Sequence, residues 1–447
     1  MVKTKDLNMT EGPFLKKIFI FAIPLILNSL LQTTYGAADS FVAGRFISSE
    51  ALAAVSSNGP LWSLLVFFFI GLTSSSGILI ARCIGANDTK LISKAVHTSI
   101  AMSLIFGVFI FFVGIIFSRV FLTWMNVPDN IIDLSTLYLR ISFVGCPASM
   151  FFNSIASIFR GRGDSKTPLV IQSTTGLINC TLNVIFVTVF KWSVAGVAAS
   201  TVISQYISAV WFGILLSRCN DDCKFYIRKI RIYKNELAEI LRIGLPSGAT
   251  QIAAHIVNIL TQTILNGFGP AVMSGCSVSS TILNAYSSVS NGFVQSASVM
   301  TSQNYGAKNK KNIKKIVLEC SVIVVIVSAI ILSLFFIFKR ELLGLFTTDQ
   351  ATIDAGVERF MYILPPQIIV STLSVFATAL ISMRKNYAIM VYGLCMNIGF
   401  HLVWCLFIFP LNPVPAMMYV RNLITPVIGL IFYPLLYTHT LKHLDFE

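Results

Sequence analysis

Charge is what this chain has least of. Only 12% of its 447 residues are Asp, Glu, Lys or Arg, about half the share of an ordinary globular protein. Hydrophobic residues make up 55% and the mean hydropathy is +0.77. Such a composition excludes a soluble domain. It also lacks alternating apolar segments of about ten residues, which excludes an outer-membrane barrel. No G-x-x-x-x-G-K-[ST] is present, so the chain is not a fused ATPase pump. No metal-spaced His pair and no Gly-x-Ser-x-Gly elbow is present, so nothing in the pattern points to an enzyme. Of the nine cysteines, only Cys219 and Cys223 are close in sequence. Zinc would need two further ligands nearby, so neither a metal nor a cofactor is expected. A cleavable signal peptide is not evident: the first apolar run is long, contains Pro24 and lacks a small-residue cleavage site, so it is expected to remain as a span.

What is present is a series of long apolar runs. They predict an all-α integral membrane protein with twelve transmembrane helices, near 14–38, 52–80, 95–118, 135–159, 168–190, 195–217, 240–266, 271–303, 316–338, 357–381, 388–409 and 414–438. The net charge of +14 does not indicate nucleic acid, because the basic residues sit in short loops, where they meet anionic lipid headgroups. At the odd-numbered connections there are few: Arg45, Arg119, Arg140, Lys191, Lys339, Arg340, Arg359 and Arg421. The rest lie at the termini and in the even-numbered loops, while the acidic residues divide more evenly. That bias places both termini and the central linker in the cytoplasm and the protein in the cytoplasmic (inner) membrane.

The chain repeats itself. Pro24 near the start of the first span is matched by Pro246 in the seventh. Gly85-Ala-Asn-Asp88 is matched by Gly306-Ala-Lys-Asn309, and Asn179-x-x-x-Asn183 by Asn397-x-x-x-His401. The offsets are 222, 221 and 218 residues. Two sets of six spans in the same orientation imply two pseudo-twofold-related six-helix bundles with a central cavity. The expected division is an N-terminal lobe over 1–217, a cytoplasmic linker over 218–239 and a C-terminal lobe over 240–447.

Ala22–Gly44 stands out within the first span. Asn28, Gln32, Tyr35 and Asp39 follow one another at steps of four, three and four, which places them on one helical face. An intramembrane carboxylate on such a stripe is a functional-site candidate by default. Pro24 removes a backbone hydrogen bond and can kink the helix. The seventh span carries its own stripe of Gln251, His255, Asn258, Gln262 and Asn266, and the eighth adds Asn284, Ser288, Asn291 and Gln295. His255, Asn258, Gln262 and Asn284 form the candidate second-lobe polar site, which holds no deep carboxylate. His255 and His401 are the other buried titratable candidates. Arg421 is expected to snorkel outward, and Gly85 and Gly306 to cap their helices.

Taken in order, a set of short motifs resembles the multidrug and toxic compound extrusion (MATE) family over essentially the whole chain. They are Pro24, Asp39-Ser-Phe-Val-Ala-Gly44, Glu50-Ala-Leu-Ala-Ala-Val55, Ile80-Ala-Arg-Cys-Ile-Gly85-Ala-Asn-Asp88, Arg162-Gly-Asp-Ser-Lys-Thr-Pro168, Val194-Ala-Gly-Val-Ala-Ala-Ser-Thr201 and Gly244-Leu-Pro246-Ser. The resemblance implies a secondary antiporter that exports bulky, cationic organic compounds or amphiphiles by alternating access. The coupling ion it implies is H+, with Na+ as the alternative. In the aspartate-bearing prokaryotic branch, Pro24, Gln32, Tyr35 and Asp39 would connect to Asn179 and Asn183 on the fifth span and Thr201 on the sixth. Asn183 stands where that branch often has a second carboxylate, which leaves Asp39 as the one evident titratable group of the first lobe. The seventh-span carboxylate of other branches has no counterpart. A monomer among membrane lipids is expected. The alternatives are a lipid-linked oligosaccharide flippase of the same superfamily, which would need a more cationic cavity, and a structural or receptor-like membrane protein, which would not need Asp39.

Overall fold

A computed structural model describes residues 7–125 and 127–444, with all of their side chains except those of 49 and 60–70. Those residues are helical almost throughout. The first part of the chain forms α1 (Phe14–Phe46), α2 (Ser49–Ser57), α3 (Gly59–Gly85), α4 (Thr89–Trp124), α5 (Asp129–Val144), α6 (Cys146–Gly161), α7 (Lys166–Thr188) and α8 (Ser193–Ser217). A linker with one 3-10 turn leads to α9 (Lys234–Asn266), α10 (Pro270–Gly306), α11 (Lys310–Ile337), the short α12 (Lys339–Gly344) and α13 (Gln350–Ser382). The next span, Asn386–Leu411, is α14 (Asn386–Leu394) and α15 (Phe400–Val403), each followed by a π turn, and α16 (Pro415–Lys442) ends the chain.

Every expected span falls on a helix. The second one divides, because Gly59 and the proline after it open a new helix behind the short α2; the side chains of 60–70 in that span lie outside the described residues. The fourth is a bent pair, α5 and α6 meeting at 45°, with a proline in the first turn of α6. Among the described residues eight helices are long and apolar enough to cross a membrane, and the bent pair makes a ninth. At 33 and 37 residues, α9 and α10 exceed the ~20 residues a span requires, but both carry several Asn and Gln, and α10 is rich in Ser as well. Phe109, Phe112 and Ile116 on α4 and Leu318, Ile326 and Ile330 on α11 are exposed, as a hydrocarbon solvent permits.

The chain forms two compact units, one built on Leu27–Gly248 and one on Asn8–Ile26 with Ala249–Glu447. The boundaries lie within α1 and α9, two residues beyond Pro24 and Pro246, rather than at the linker. Within the first unit, the start of α9 is held by an Arg82–Glu239 ion pair at 3.1 Å. Gly244 allows close approach there, since a Cβ would lie 2.8 Å from Leu72. The core of this unit gathers Ile80, Ile100, Met150, Phe159 and Phe212. Within the second unit, the start of α1 is held by an edge-to-face contact of Phe19 with Phe293 at 5.6 Å and by Asn304 and Asn312, whose amides donate to the Met9 and Thr10 carbonyls, each at 2.8 Å. Its cores gather Tyr286, Leu343 and Phe360 on one side and Cys276, Trp404 and Tyr419 on the other.

The two Gly-Ala turns are built alike, but not as expected of a glycine cap. Gly85 and Gly306 are the last helical residues, and the left-handed positions are Asn87 (φ 54°) and Lys308 (φ 57°). Asp88 and Asn309 then cap the next helix by accepting from Leu91 N at 3.0 Å and Asn312 N at 3.1 Å.

Candidate functional site

The polar stripe of α1 lies against α7 and α8 in the first unit. Asp39 has one oxygen accepting from Asn183 Nδ2 at 2.6 Å and the other facing Thr201 Oγ1 at 3.4 Å. Asn179 Nδ2 donates to the same Thr201 hydroxyl at 3.1 Å. One and two turns back along α1, Tyr35 donates to the Ser173 carbonyl at 3.1 Å and Gln32 to Gln172 Oε1 at 3.0 Å. Asp39, Asn179, Asn183 and Thr201 are therefore joined in one network. Gln32 and Tyr35 bond to α7 at separate points, and Asn28 is buried on the same face. Tyr35 can lie across α7 only because position 176 is glycine: a Cβ there would sit 2.0 Å from its ring. Pro24 lies further back in α1, in the segment that belongs to the second unit.

The donors around Asp39 are neutral, and among the described residues no cation pairs with it. Asn183 is fully buried, and its own Oδ1 has no hydrogen-bond partner. An amide can serve either state of a carboxyl: its NH2 donates to the carboxylate, and its oxygen, after rotation, accepts from the acid. Asp39, Thr201 and the free Asn183 oxygen are also the kind of hard oxygen donors a small cation takes. Gln172, seven residues before Asn179 on the same face of α7, was not singled out from sequence; that i, i+7, i+11 spacing with Asn183 was the available signal.

The second unit is arranged differently. Asn258 and Asn284 are exposed, His255 is half-buried, and Gln262 donates to Asn266 one turn on at 2.8 Å. Its buried polar pair lies elsewhere. Arg421 does not snorkel: it is 8% exposed and donates to His401 Nδ1 at 2.5 Å. Arginine has no acceptor, so that nitrogen must carry the lone pair and His401 is neutral there. His401 and Arg421 occupy the eleventh and twelfth spans, as Asn183 and Thr201 occupy the fifth and sixth. The fifth and sixth spans of the first unit thus meet a carboxylate from α1, whereas the eleventh and twelfth carry a guanidinium of their own. A second guanidinium, Arg359, donates to the Cys276 carbonyl and to Ser279 and Ser280 at 2.8 and 2.6 Å. Among the described residues no group of three His, Cys, Asp or Glu could hold a metal ion, and the cysteines are free thiols.

A family model for MatE matches residues 24–185 and, a second time, 246–407. Each copy opens on a helix-interior proline and runs into the fifth span of its half. The chain belongs to the MatE family. MATE proteins are multidrug efflux transporters of the membrane, and the curated relatives carry such names. A probable multidrug resistance protein of Bacillus subtilis, YoeA, is 27% identical over 76% of this chain and 74% of its own length. The multidrug export protein MepA of Staphylococcus aureus (strain NCTC 8325 / PS 47) is 22% identical over 77% of this chain and 76% of its own. Among solved structures, a MATE transporter in complex with MaL6 superposes with a TM-score of 0.91 at 20% identity, covering 99% of both chains. A MOP-superfamily transporter from Pyrococcus furiosus, described by the reverse polarity of its binding pocket, superposes at 0.89 with 19% identity over 98% of this chain and 99% of its own. At those identities the structural likeness speaks for the fold alone.

Proposed function

We propose that this MATE protein is a secondary active antiporter that exports bulky cationic organic compounds or amphiphiles in exchange for protons, with Na+ as the alternative coupling ion. It has no enzymatic activity and needs no cofactor. It works as a monomer in the cytoplasmic membrane with both termini inside. Lobes 1–217 and 240–447, joined by the linker 218–239, expose the cargo site to the two sides in turn. The observation that carries the coupling role is Asp39: a carboxylate inside a span, bonded to Asn183 and faced by Thr201, with no counter-charge among the described residues. Charge left unpaired at that depth is expensive, so uptake of a proton or cation at Asp39 is a strong signal to its surroundings. Losing the charge weakens the bond from Asn183, and that change at the α1–α7 contact is what would reach the rest of α1 through Gln32, Tyr35 and Pro24. Arg359 and Arg421, the cations that a flippase would present to a pyrophosphate, are instead occupied within their own unit, which favours drug export over lipid-linked oligosaccharide transport. The polar site of His255, Asn258, Gln262 and Asn284 is assigned to cargo contact.

Efflux of a fluorescent organic cation from reconstituted vesicles, driven separately by a pH gradient and by a Na+ gradient, tests this reading. The pH gradient should drive efflux in the wild type, and Asp39→Asn should reduce it to the leak rate at equal protein content. Transport by Asp39→Asn at the wild-type rate overturns the coupling role.

A further inference from the structure

The first unit has an amphipathic groove that the Asp39 network does not use. At the end of α8 nearest the linker, a cleft of about 740 Å³ opens between α8 and the start of α7. Its rim carries Arg162, Lys166 and Arg218, and its apolar lining includes Val170, Ile171 and Leu215. A second hollow of about 580 Å³ runs on along α8 over Ile203, Tyr206, Ile207, Val210 and Ile214. Trp211 lines both, so the two hollows meet at its side chain, and together they are called the groove. The α8 residues involved recur at steps of three and four, which is one face of the helix.

The charges on the rim are not equivalent. Arg162 pairs with Asp221 at 3.0 Å and touches the Cys219 thiol at 3.0 Å. Asp164 spends its oxygens on the first turn of α7, accepting from Lys166 N, Thr167 N and the Thr167 hydroxyl. That leaves Lys166 and Arg218, both exposed and neither in an ion pair among the described residues. From Arg218 to Ile203 the groove is about 22 Å long at 1.5 Å per residue. One leaflet of hydrocarbon is about 15 Å deep. A slot of that length, mostly apolar along α8, with Lys166 and Arg218 at its polar end and Trp211 between, matches a lipid with an anionic headgroup and one chain laid along the helix.

We propose that this groove is a selective site for an anionic phospholipid of the cytoplasmic leaflet, its phosphate held by Lys166 and Arg218 and one acyl chain lying along α8 over Trp211. The choice of leaflet rests on the orientation proposed above; the selectivity does not. The occupant ties α7 to α8, the two helices that hold Asn183 and Thr201 around Asp39.

The full chain is reconstituted in bilayers where either phosphatidylglycerol or phosphatidylcholine carries dibrominated chains, at equal bromine content. The Trp211 signal is the difference in emission between wild type and Trp211→Phe. Brominated phosphatidylglycerol should quench it more than brominated phosphatidylcholine. Lys166→Gln/Arg218→Gln should remove the preference, by about fivefold per charge at low salt, while Lys166→Arg/Arg218→Lys keeps it. Should the neutral variant not fold, raising the salt on the wild type must erode the preference instead. Equal quenching by the two lipids, or a preference that survives charge removal and salt, overturns the site and leaves only an unselective lipid contact. Neither result bears on Asp39→Asn efflux, so the two readings fail separately.

Discussion

Two polar groups approach Asp39 at unequal distances. Asn183 Nδ2 stands at 2.6 Å and Thr201 Oγ1 at 3.4 Å. The first is a short, charge-assisted bond, while the second lies beyond the usual 2.5–3.0 Å for a hydroxyl donor. Thr201 has better partners, lying 3.2 Å from the Val197 carbonyl and 3.1 Å from the Asn179 amide that donates to it. Bonds to a charged group contribute about 1.5–3 kcal/mol. Asn183→Leu, close in volume, should therefore slow gradient-driven efflux by about tenfold or more. Thr201→Val should slow it by less than about threefold on the same scale. Vesicle efflux at matched protein content reads both; equal losses would falsify the ranking. In the second unit the corresponding spans carry His401 and Arg421. A neutral imidazole bound to a guanidinium has no carboxylate to protonate, so the two units differ in what an arriving proton can change.

At the level of the helix, the contact of α1 with α7 depends on one missing side chain. A Cβ at Gly176 would meet the Tyr35 ring at 2.0 Å. Alanine would favour the helix by about 1 kcal/mol over glycine. Forcing the ring aside costs about 1–3 kcal/mol for overpacking and its hydrogen bond to Ser173. Gly176→Ala alone should thus lower thermal stability in detergent, by up to about 2 kcal/mol as the balance of those terms. In a Tyr35→Ala background the clash is gone and only the propensity gain remains, so Gly176→Ala should then raise stability. Thermal midpoints of the four proteins in the cycle check the change of sign. The elements themselves were legible in the sequence because lipid demands apolar runs of the right length. What was not legible was local: the break before α3, the bend between α5 and α6, and the left-handed turns falling at Asn87 and Lys308 rather than on the glycines beside them. Short-range backbone geometry decides these, and hydropathy does not register it.

For the whole molecule, the sparse basic residues at the odd-numbered connections predict the side on which each loop lies. In a background without the nine cysteines, Lys191→Cys and Arg340→Cys should react with an impermeant thiol reagent in intact cells. Arg228→Cys, in the linker, should react only after the membrane is opened. Labelling of Arg228→Cys from outside would invert the topology and with it the leaflet assigned to the α8 groove. The two units add a feature that a division at the linker does not contain: each draws in the first part of the other half's leading helix, with the change of unit two residues beyond Pro24 and Pro246. Both MatE matches begin at those prolines.

Composition, the 222-residue repeat and the order of the motifs determined the class, the family and the helices that carry the polar stripe, because each follows from short-range pattern and from the solvent the chain lives in. They also placed Asp39 beside Asn183 and Thr201 by resemblance. Only the tertiary structure decided which oxygen meets which donor, that Gln172 and Ser173 receive Gln32 and Tyr35, and that Arg421 turns inward to His401 instead of reaching for the surface. An arginine near a helix end has both routes open to it in sequence. The choice depends on whether a neighbouring helix offers an acceptor, and that is a property of packing between segments twenty residues apart, not of either segment alone.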